Sequence, residues 1–391
     1  MNTLKFGNGE WYGKKDTILA YNDENSNFKP LPFSFDRASS ATVVNKAGLI
    51  ETVGSGEPRI DYKDDAKGAL LLEPSRSNAI TYSEDFSQWT DAGTTTVLSN
   101  ITNPSGGLQS YLLSAASSST NALRYDLSFS TSTNYSYSLF FKSGTSQEVR
   151  MQIYDGNSFF RLAVNPLNNF EVVDQSGVNS YLIEDFTNGW KKVSINITTS
   201  ASASSGYLQI YPDRTGNLND VYLFGASLEV GSYPTSYIPT SGSAVTRVTD
   251  VLPITELRSK NILGSVSFSY LFDFTHQGGG TFSGFFNEVD DASLYKGGWV
   301  ESGGLQYRTP IGGGNYYVNV KVPITSGDRV KCCVTLNGST RKIYANGVLI
   351  STLNNCDNLS NDIDGFIQYY GNTNVNYESY RYNGLQVYNT E

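Results

Sequence analysis

Apolar and polar residues alternate at every second position through most of this chain, and helical spacing is hard to find. In "TNYSYSLFFKSG" (133–144), Tyr135, Tyr137 and Leu139 fall on one face; in "GWKKVSINITTS" (189–200), Val193, Ile195 and Ile197 do the same. A period of two is the mark of a strand with one buried face. "SGYLQIYP" and "DVYLFGASLEV" add two further strands, and "DGNS" and "PLNN" supply turn signals between them. The stretch from Thr81 to Tyr237 therefore predicts a many-stranded antiparallel sandwich.

The same kind of text returns after Val251. "GSVSFSYLFDFT" (264–275) matches "TNYSYSLFFKSG" in pattern, and "GDRVKCCVTLNG" matches "NGWKKVSINITT", in the same order. Two sandwiches of like kind are expected. In "TRKIYANGVLISTL" the Asn346-Gly347 pair predicts a tight hairpin, because both central residues of that turn need positive φ. "YRYNGLQVYNT" reads as the closing strand.

Residues 1–80 lack both periods and mix apolar pairs with Pro, Asn, Asp and Gly. Their aromatics, Trp11, Tyr12, Phe28, Phe33 and Phe35, argue against disorder, so the segment is expected to lie on its own body or on another chain. "SYPTSYIPTSGSAVT" carries Pro234 and Pro239 among Ser and Thr, which predicts a stiff, solvated connector over 238–250. Tyr233, Tyr237 and Ile238 are expected to pin it to the first sandwich. The domain reading is thus 1–80, 81–237, 238–250 and 251–391.

Composition agrees with an all-β chain: 27 Tyr, 20 Phe and 37 Gly against 2 Met in 391 residues. A net charge of −9, with no dense Lys/Arg block, argues against nucleic-acid binding. The opening residues lack the apolar run of a secretory signal, and no stretch approaches a membrane helix, so a soluble product made in the cytoplasm is expected. Cys332 and Cys333 are neighbours, which suits two thiols filling gaps on opposite faces of a strand better than a disulfide framework. His276 is the sole histidine, which removes most histidine-based catalysis and His-rich metal sites. It is expected to end a strand, and no cofactor or metal is expected.

Several stretches together carry a family resemblance. "LAYNDENSNFKPLPFSFDRASSATVVNKAGLIETVGSGEPRIDY", followed by "LLLEPSRSNAITYSEDFSQWT", resembles the N-terminal module of a large set of tailed-bacteriophage virion proteins, described as tail fibre, head fibre or structural protein. "SLEVGSYPTSYIPTSGSAVTRVTD" resembles the connector of that set, and the last part of the chain resembles its laminin-G-like, concanavalin-type sandwich. The resemblance implies an N-terminal attachment region, a carbohydrate-binding-module-like jelly roll and a second jelly roll, often in trimeric fibres. Val43 stands where the family commonly shows Arg, and Ala79 where it commonly shows Leu. The implied protein is a non-enzymatic virion fibre subunit on head or tail. Its implied partners are sister copies in a homotrimer, other virion proteins reached through the N-terminal segment, and cell-surface polysaccharide.

Sugar binding on a sandwich calls for exposed aromatic faces beside Asp, Asn or Arg. Trp190 and Trp89 read as packing residues, and Trp11, with Tyr12, Phe33, Phe35 and Arg37, as N-terminal docking anchors. Trp299 stands among Gly297, Gly298, Gly303, Gly304 and the Gly312–Gly314 run, with Tyr295, Tyr307 and Arg308 nearby; these four residues form the expected glycan surface, on glycine-rich loops. A polysaccharide depolymerase is the rival reading. Glu288 and Asp290 match two positions of the E-x-D-x-x-E strand of concanavalin-fold glucanases, but Ser293 occupies the third. A solvated acidic turn, with calcium ligation by Asp290 and Asp291 as a minor alternative, fits better. A purely architectural role without ligand is the other rival.

Overall fold

A computed structural model describes residues 3–7, 11–14, 17–22, 27–30, 35–252, 267–276, 282–287, 297–301, 304–311, 314–325, 327–356 and 380–388. Among them the ordered elements are β-strands with two short 3-10 turns and no α-helix. Every strand pairing is antiparallel. The all-β reading holds.

The chain divides into two compact units. One comprises Met1–Lys46, Thr52–Ser75 and Val248–Glu391; the other comprises Ala47–Glu51 and Arg76–Arg247. These bounds differ from the sequence reading in two ways. The N-terminal residues group with the C-terminal sandwich, and the proline-bearing strap up to Arg247 belongs with the central sandwich.

The central unit stacks two six-stranded sheets. One runs, in spatial order, Thr90–Ala92, Ala122–Ser128, Ser205–Tyr211, Val149–Tyr154, Phe159–Asn165 and Glu171–Ser176. The other runs Thr94–Ser99, Ser110–Ala115, Asp220–Val230, Asn134–Ser143, Trp190–Thr198 and Ser180–Asp185. The expected alternation is realised: Tyr137 pairs with Ile195 and Leu139 with Val193, and all four are fully buried. Facing them are Leu123, Met151, Ile153, Leu162, Leu208 and Ile210 in the same core. Alternate burial of this kind is what holds register, because a one-residue slip would turn the apolar set outward.

The outward side of the second sheet is covered by its own chain. Phe140, Trp190 and Phe224 form a small cluster there with Ile50 and with Tyr237 of the strap. Tyr237 meets the Phe140 ring edge-on at 5.7 Å. Lys192 Nζ donates to the Thr235 carbonyl at 2.7 Å, and Thr235 Oγ1 donates to Glu229 at 2.5 Å. Asn78 Nδ2 donates to the carbonyls of both Ala226 and Ile238. The strap is part cover and part solvated connector: Thr235, Tyr237, Ile238, Thr240 and Arg247 are buried, while residues 241–246 are exposed. Tyr233, Tyr237 and Ile238 pin it as expected. Gly225 makes the fit possible. It bulges the Asp220–Val230 strand at φ +53°, and a Cβ there would come within about 3 Å of the Phe140 and Tyr237 rings.

The other unit contains an eight-stranded sheet in the order Val348–Leu353, Thr340–Ala345, Arg329–Asn337, Ser267–His276, Tyr380–Tyr388, Ala69–Leu72 and Arg59–Asp61, with Thr3–Gly7 also on Tyr380–Tyr388. Phe282–Asn287, Gly297–Glu301, Gly304–Ile311 and Gly314–Pro323 form a four-stranded sheet. Trp11–Lys14, Thr17–Asn22 and Asn27–Pro30 form a three-stranded one. The seemingly irregular N-terminal text thus supplies strands to the sheet of the C-terminal half. Cys332 is buried, Cys333 is partly exposed on the neighbouring position, and Cys356 is buried, none of the three in a disulfide among the described residues. The hairpin turns on Asn346 at φ +49° and Gly347 at φ +82°, and His276 ends its strand.

The internal similarity in the sequence corresponds to a shared three-strand arrangement within each unit. Asn134–Ser143 pairs with Trp190–Thr198 on one side and with Asp220–Val230 on the other, with a bulge at Leu139/Phe140. Ser267–His276 pairs with Arg329–Asn337 and with Tyr380–Tyr388, with a bulge at Asp273/Phe274.

Arg37, Arg59, Glu73 and Asp250 meet in the solvent-free interior of this second unit. Arg37 Nη1 lies 2.9 Å from Asp250 Oδ1; Arg59 binds Asp250 and, at 2.7 Å, Glu73. Burial opposes the Arg59 charge, but the two carboxylates more than offset it and hold the guanidinium protonated. Phe35 and Arg37 are 2% and 1% exposed, so the docking role expected of them is replaced by an internal one. Val43 is a buried apolar residue.

Candidate functional site

One outward sheet face of the central sandwich is covered; the other carries a patterned surface. Residues paired across antiparallel strands share a face, so the register defines rows running across the sheet. Asp126 pairs with Tyr207, Tyr207 with Tyr154, and Tyr154 with Phe159. One step along, Thr90, Arg124, Gln209, Gln152, Arg161 and Ser176 form a second row. Tyr211, Arg150, Ala163 and Asp174 form a third. An aromatic row thus lies beside rows of amides and guanidinium groups.

The aromatic row is continuous. Tyr154 and Phe159 stack at 4.5 Å, Tyr154 and Tyr207 lie 5.1 Å apart, and the Arg124 guanidinium sits 4.0 Å over the Tyr207 ring. Phe159 is half exposed, at 50%. A depression of about 420 Å³ opens at this end of the face, lined by Arg124, Asp126, Leu127, Ser128, Tyr154, Ser205, Gly206 and Tyr207. That volume falls in the range of small-ligand sites, roughly 300–1,000 Å³. Gly206 permits the close strand approach beneath it, because a Cβ at that position would stand 1.9 Å from the Tyr154 carbonyl oxygen.

Polar groups on the face orient one another. Gln152 Nε2 donates to Gln209 Oε1 at 3.0 Å and to the Tyr211 hydroxyl at 3.3 Å, and that hydroxyl donates to Gln209 Oε1 at 2.9 Å. Arg124 Nε donates to Asp126 at 2.8 Å. Arg161 Nε donates to Asp174 at 2.9 Å, and Arg150 reaches Glu148 at 3.1 Å and Asp174 at 3.3 Å. Burial raises the Tyr207 phenol above its ordinary pKa, against the opposing influence of Arg124, so it remains a neutral hydroxyl at physiological pH. Fixed rings flanked by prearranged donors and acceptors can hold a flat, hydroxylated molecule without reorganising.

Of the residues singled out from the sequence, Trp299, Tyr307 and Arg308 lie in the four-stranded sheet of the other unit. Trp299 lies within the Gly297–Glu301 strand, paired with Gly284 on one side and Gln306 on the other, and not on a loop. Tyr307 is 1% exposed and pairs with Gly298, so it offers no stacking face. Arg308 pairs with Gly297 and Tyr317 in the same sheet, and Tyr295 lies outside the described residues. Glu288, Asp290, Asp291 and Phe33 also lie outside them. Trp11 and Tyr12 belong to a strand paired with Thr17–Asn22. Trp190 and Trp89 are packing residues as expected, with indole N–H groups donating to the Thr102 and Tyr82 carbonyls. Among the described residues no three His, Cys, Asp or Glu side chains converge as metal ligands, and no helix is long and apolar enough to cross a membrane.

The open face went unread in the sequence although its signal is there. "RMQIY" (150–154) and "YLQIY" (207–211) each place Gln and Tyr on the polar side of an alternating strand, and "RYD" (124–126) adds Arg and Asp. No family model and no curated protein matches the chain. Among solved structures, the N-terminal CBM22-1-CBM22-2 tandem domain of Paenibacillus barcinonensis Xyn10C aligns at 9% identity and TM-score 0.28, over 82% of this chain and 97% of that one. Trypanosoma rangeli sialidase aligns at 8% identity and TM-score 0.27, over 96% of this chain and 64% of its own. The same sialidase with the inhibitor DANA gives 9% and 0.28, with the same coverage.

Proposed function

We propose that this chain is a structural subunit of a phage virion fibre, and that its central sandwich holds cell-surface or environmental glycans on the open sheet. The observation carrying the glycan part is the row Asp126, Tyr207, Tyr154, Phe159 beside Arg124, Gln209 and Gln152. Rings offer stacking surface to the apolar face of a sugar, and the neighbouring groups meet its hydroxyls. The virion part rests on the N-terminal and connector texts. In this reading the chain acts by binding alone, with Asp126 and Asp174, each oriented by a guanidinium, accepting from sugar hydroxyls. Weak contacts on each copy, multiplied by a trimer and by the particle, supply avidity without one tight site.

Two measurements on one phage preparation test this. Immunogold microscopy with an antibody against residues 250–391 is expected to label intact particles, around the capsid for a head fibre or on the tail for a tail fibre. Purified chain added to host cells is expected to slow adsorption, and the Phe159→Ala, Tyr207→Ala double variant to lose that effect. Unlabelled particles, with the epitope accessible in the isolated protein, sink the virion reading. Equal competition by the double variant sinks the glycan face.

A further inference from the structure

We infer that the open face is built for an uncharged glycan, recognised through its hydroxyl groups, and that it discriminates against uronate and sulfated polysaccharides. This rests on the glycan reading above and narrows its ligand.

The inference comes from how charge is disposed on the face. A surface selecting an anionic sugar needs cations whose charge is not already balanced by neighbouring carboxylates. Here Arg124 is held by Asp126, Arg161 by Asp174, and Arg150 by Glu148 and Asp174. Three guanidinium groups meet three carboxylates, so the charges of these pairs cancel. Arg214, at the far end, lies on the Tyr211 ring at 5.0 Å and donates to the Ser119 carbonyl. Arg124 spends its flat side on Tyr207. An incoming carboxylate or sulfate would gain little net attraction from these balanced pairs and would meet the exposed charge of Asp126 beside the aromatic row.

What the face offers instead is hydroxyl chemistry. Asp126 is an acceptor-only group suited to sugar O–H donors, while the Tyr207 and Tyr211 hydroxyls and the Gln152 and Gln209 amides are neutral. The aromatic row crosses three strands spaced about 5 Å apart, so its reach of roughly 10 Å spans more than one sugar ring. The ligand class that fits is a neutral polysaccharide chain laid across the strands.

Calorimetric titration of the full chain with laminarin, arabinoxylan and galactomannan, and in parallel with alginate, polygalacturonate and heparin, tests this at low and high salt. At least one neutral polymer is expected to bind, with affinity changing less than about twofold between the salt conditions, because no counterions are released. Tyr207→Ala and Phe159→Ala, each verified as folded by circular dichroism, are expected to weaken that binding about tenfold. Binding of an acidic polymer that falls steeply with salt and is lost in Tyr207→Ala would leave the glycan reading standing and overturn the neutral specificity. Neutral binding indifferent to both substitutions would also overturn it, by placing the ligand elsewhere. Silence with all six polymers would count against the glycan reading itself.

Discussion

Arg37 and Asp250 are 213 positions apart in the chain, yet Arg37 Nη1 and Asp250 Oδ1 lie 2.9 Å apart with neither side chain reaching solvent. The carboxylate of Asp250 also binds Arg59 and accepts the Glu73 amide N–H at 2.8 Å. Arg37 adds bonds to the Ser39 and Gly54 carbonyls. One carboxylate thus ties together the "RASS" text, the strand carrying Arg59 and the "RVTD" text. The cost of removing one partner from such a pair exceeds the worth of the pair itself, because the remaining charge stays buried. Asp250→Ala is expected to lower stability by about 3–5 kcal/mol, read as an earlier urea or thermal transition. A loss below 1 kcal/mol would mean that water reaches the two guanidinium groups.

Asp155 gives a pH signature. Burial disfavours its charge, but the amide N–H groups of Ser200, Ser158 and Asn157 outweigh that and hold its pKa below the usual carboxylate value. A depressed folded-state pKa contributes stability above the unfolded value of about 3.9, and the contribution fades as pH falls through and below it. Asp155→Asn is expected to cost about 2 kcal/mol at neutral pH. The melting temperatures of variant and wild type should converge on acidification; a gap constant with pH would contradict this account.

Tyr137 lies in the centre of the sandwich core, fully buried, and its hydroxyl finds no hydrogen-bond partner among the described residues. Burial drives its phenol pKa far upward. The ring earns its place by packing; the hydroxyl only adds desolvation. Tyr137→Phe is therefore expected to raise stability by about 1 kcal/mol, measured by chemical denaturation, and a destabilised variant would reveal a polar partner for that oxygen.

Cys332 is buried and its thiol pKa is pushed up to about 12 by burial, with Cys333 next to it contributing. A thiol so protonated is a poor nucleophile. In the native protein Cys332 is expected to resist an aromatic disulfide reagent and to react only after denaturation, which mass spectrometry of the labelled peptides would resolve. Rapid native labelling at Cys332 would show that the Arg329–Asn337 strand opens.

Much of the fold was legible in the text because strand burial repeats every two residues. The alternation of 133–144 and 189–200 named two paired strands of the central sandwich, and Asn346-Gly347 named a hairpin turn of the other unit. The strap was half legible: its aromatic anchors could be read, but its Ser and Thr looked solvated. Over 241–246 they are, but Thr235 and Thr240 are buried because Lys192, Glu229 and Arg247 partner the first, and Ser83 and Ile80, about 160 positions away, partner the second. The setting of Trp299 was not legible. A glycine-rich text with a tryptophan looked like an exposed loop, while its backbone is strand. Meanwhile the polar side of "YLQIY" looked like ordinary solvated surface.

By itself the sequence determined that this protein is built of antiparallel strands, in two halves of like pattern, because local periodicity and turn chemistry act between near neighbours. Only the tertiary structure decided which residues of distant strands meet. It joined Arg37 to Asp250, drew the N-terminal strands into the C-terminal sheet, and laid the strap over one face of the central sandwich. On the other face it aligned Asp126, Tyr207, Tyr154 and Phe159. The physical reason is register: each strand fixes which side a residue takes, but the cross-strand partner follows from how whole sheets bury their apolar faces together.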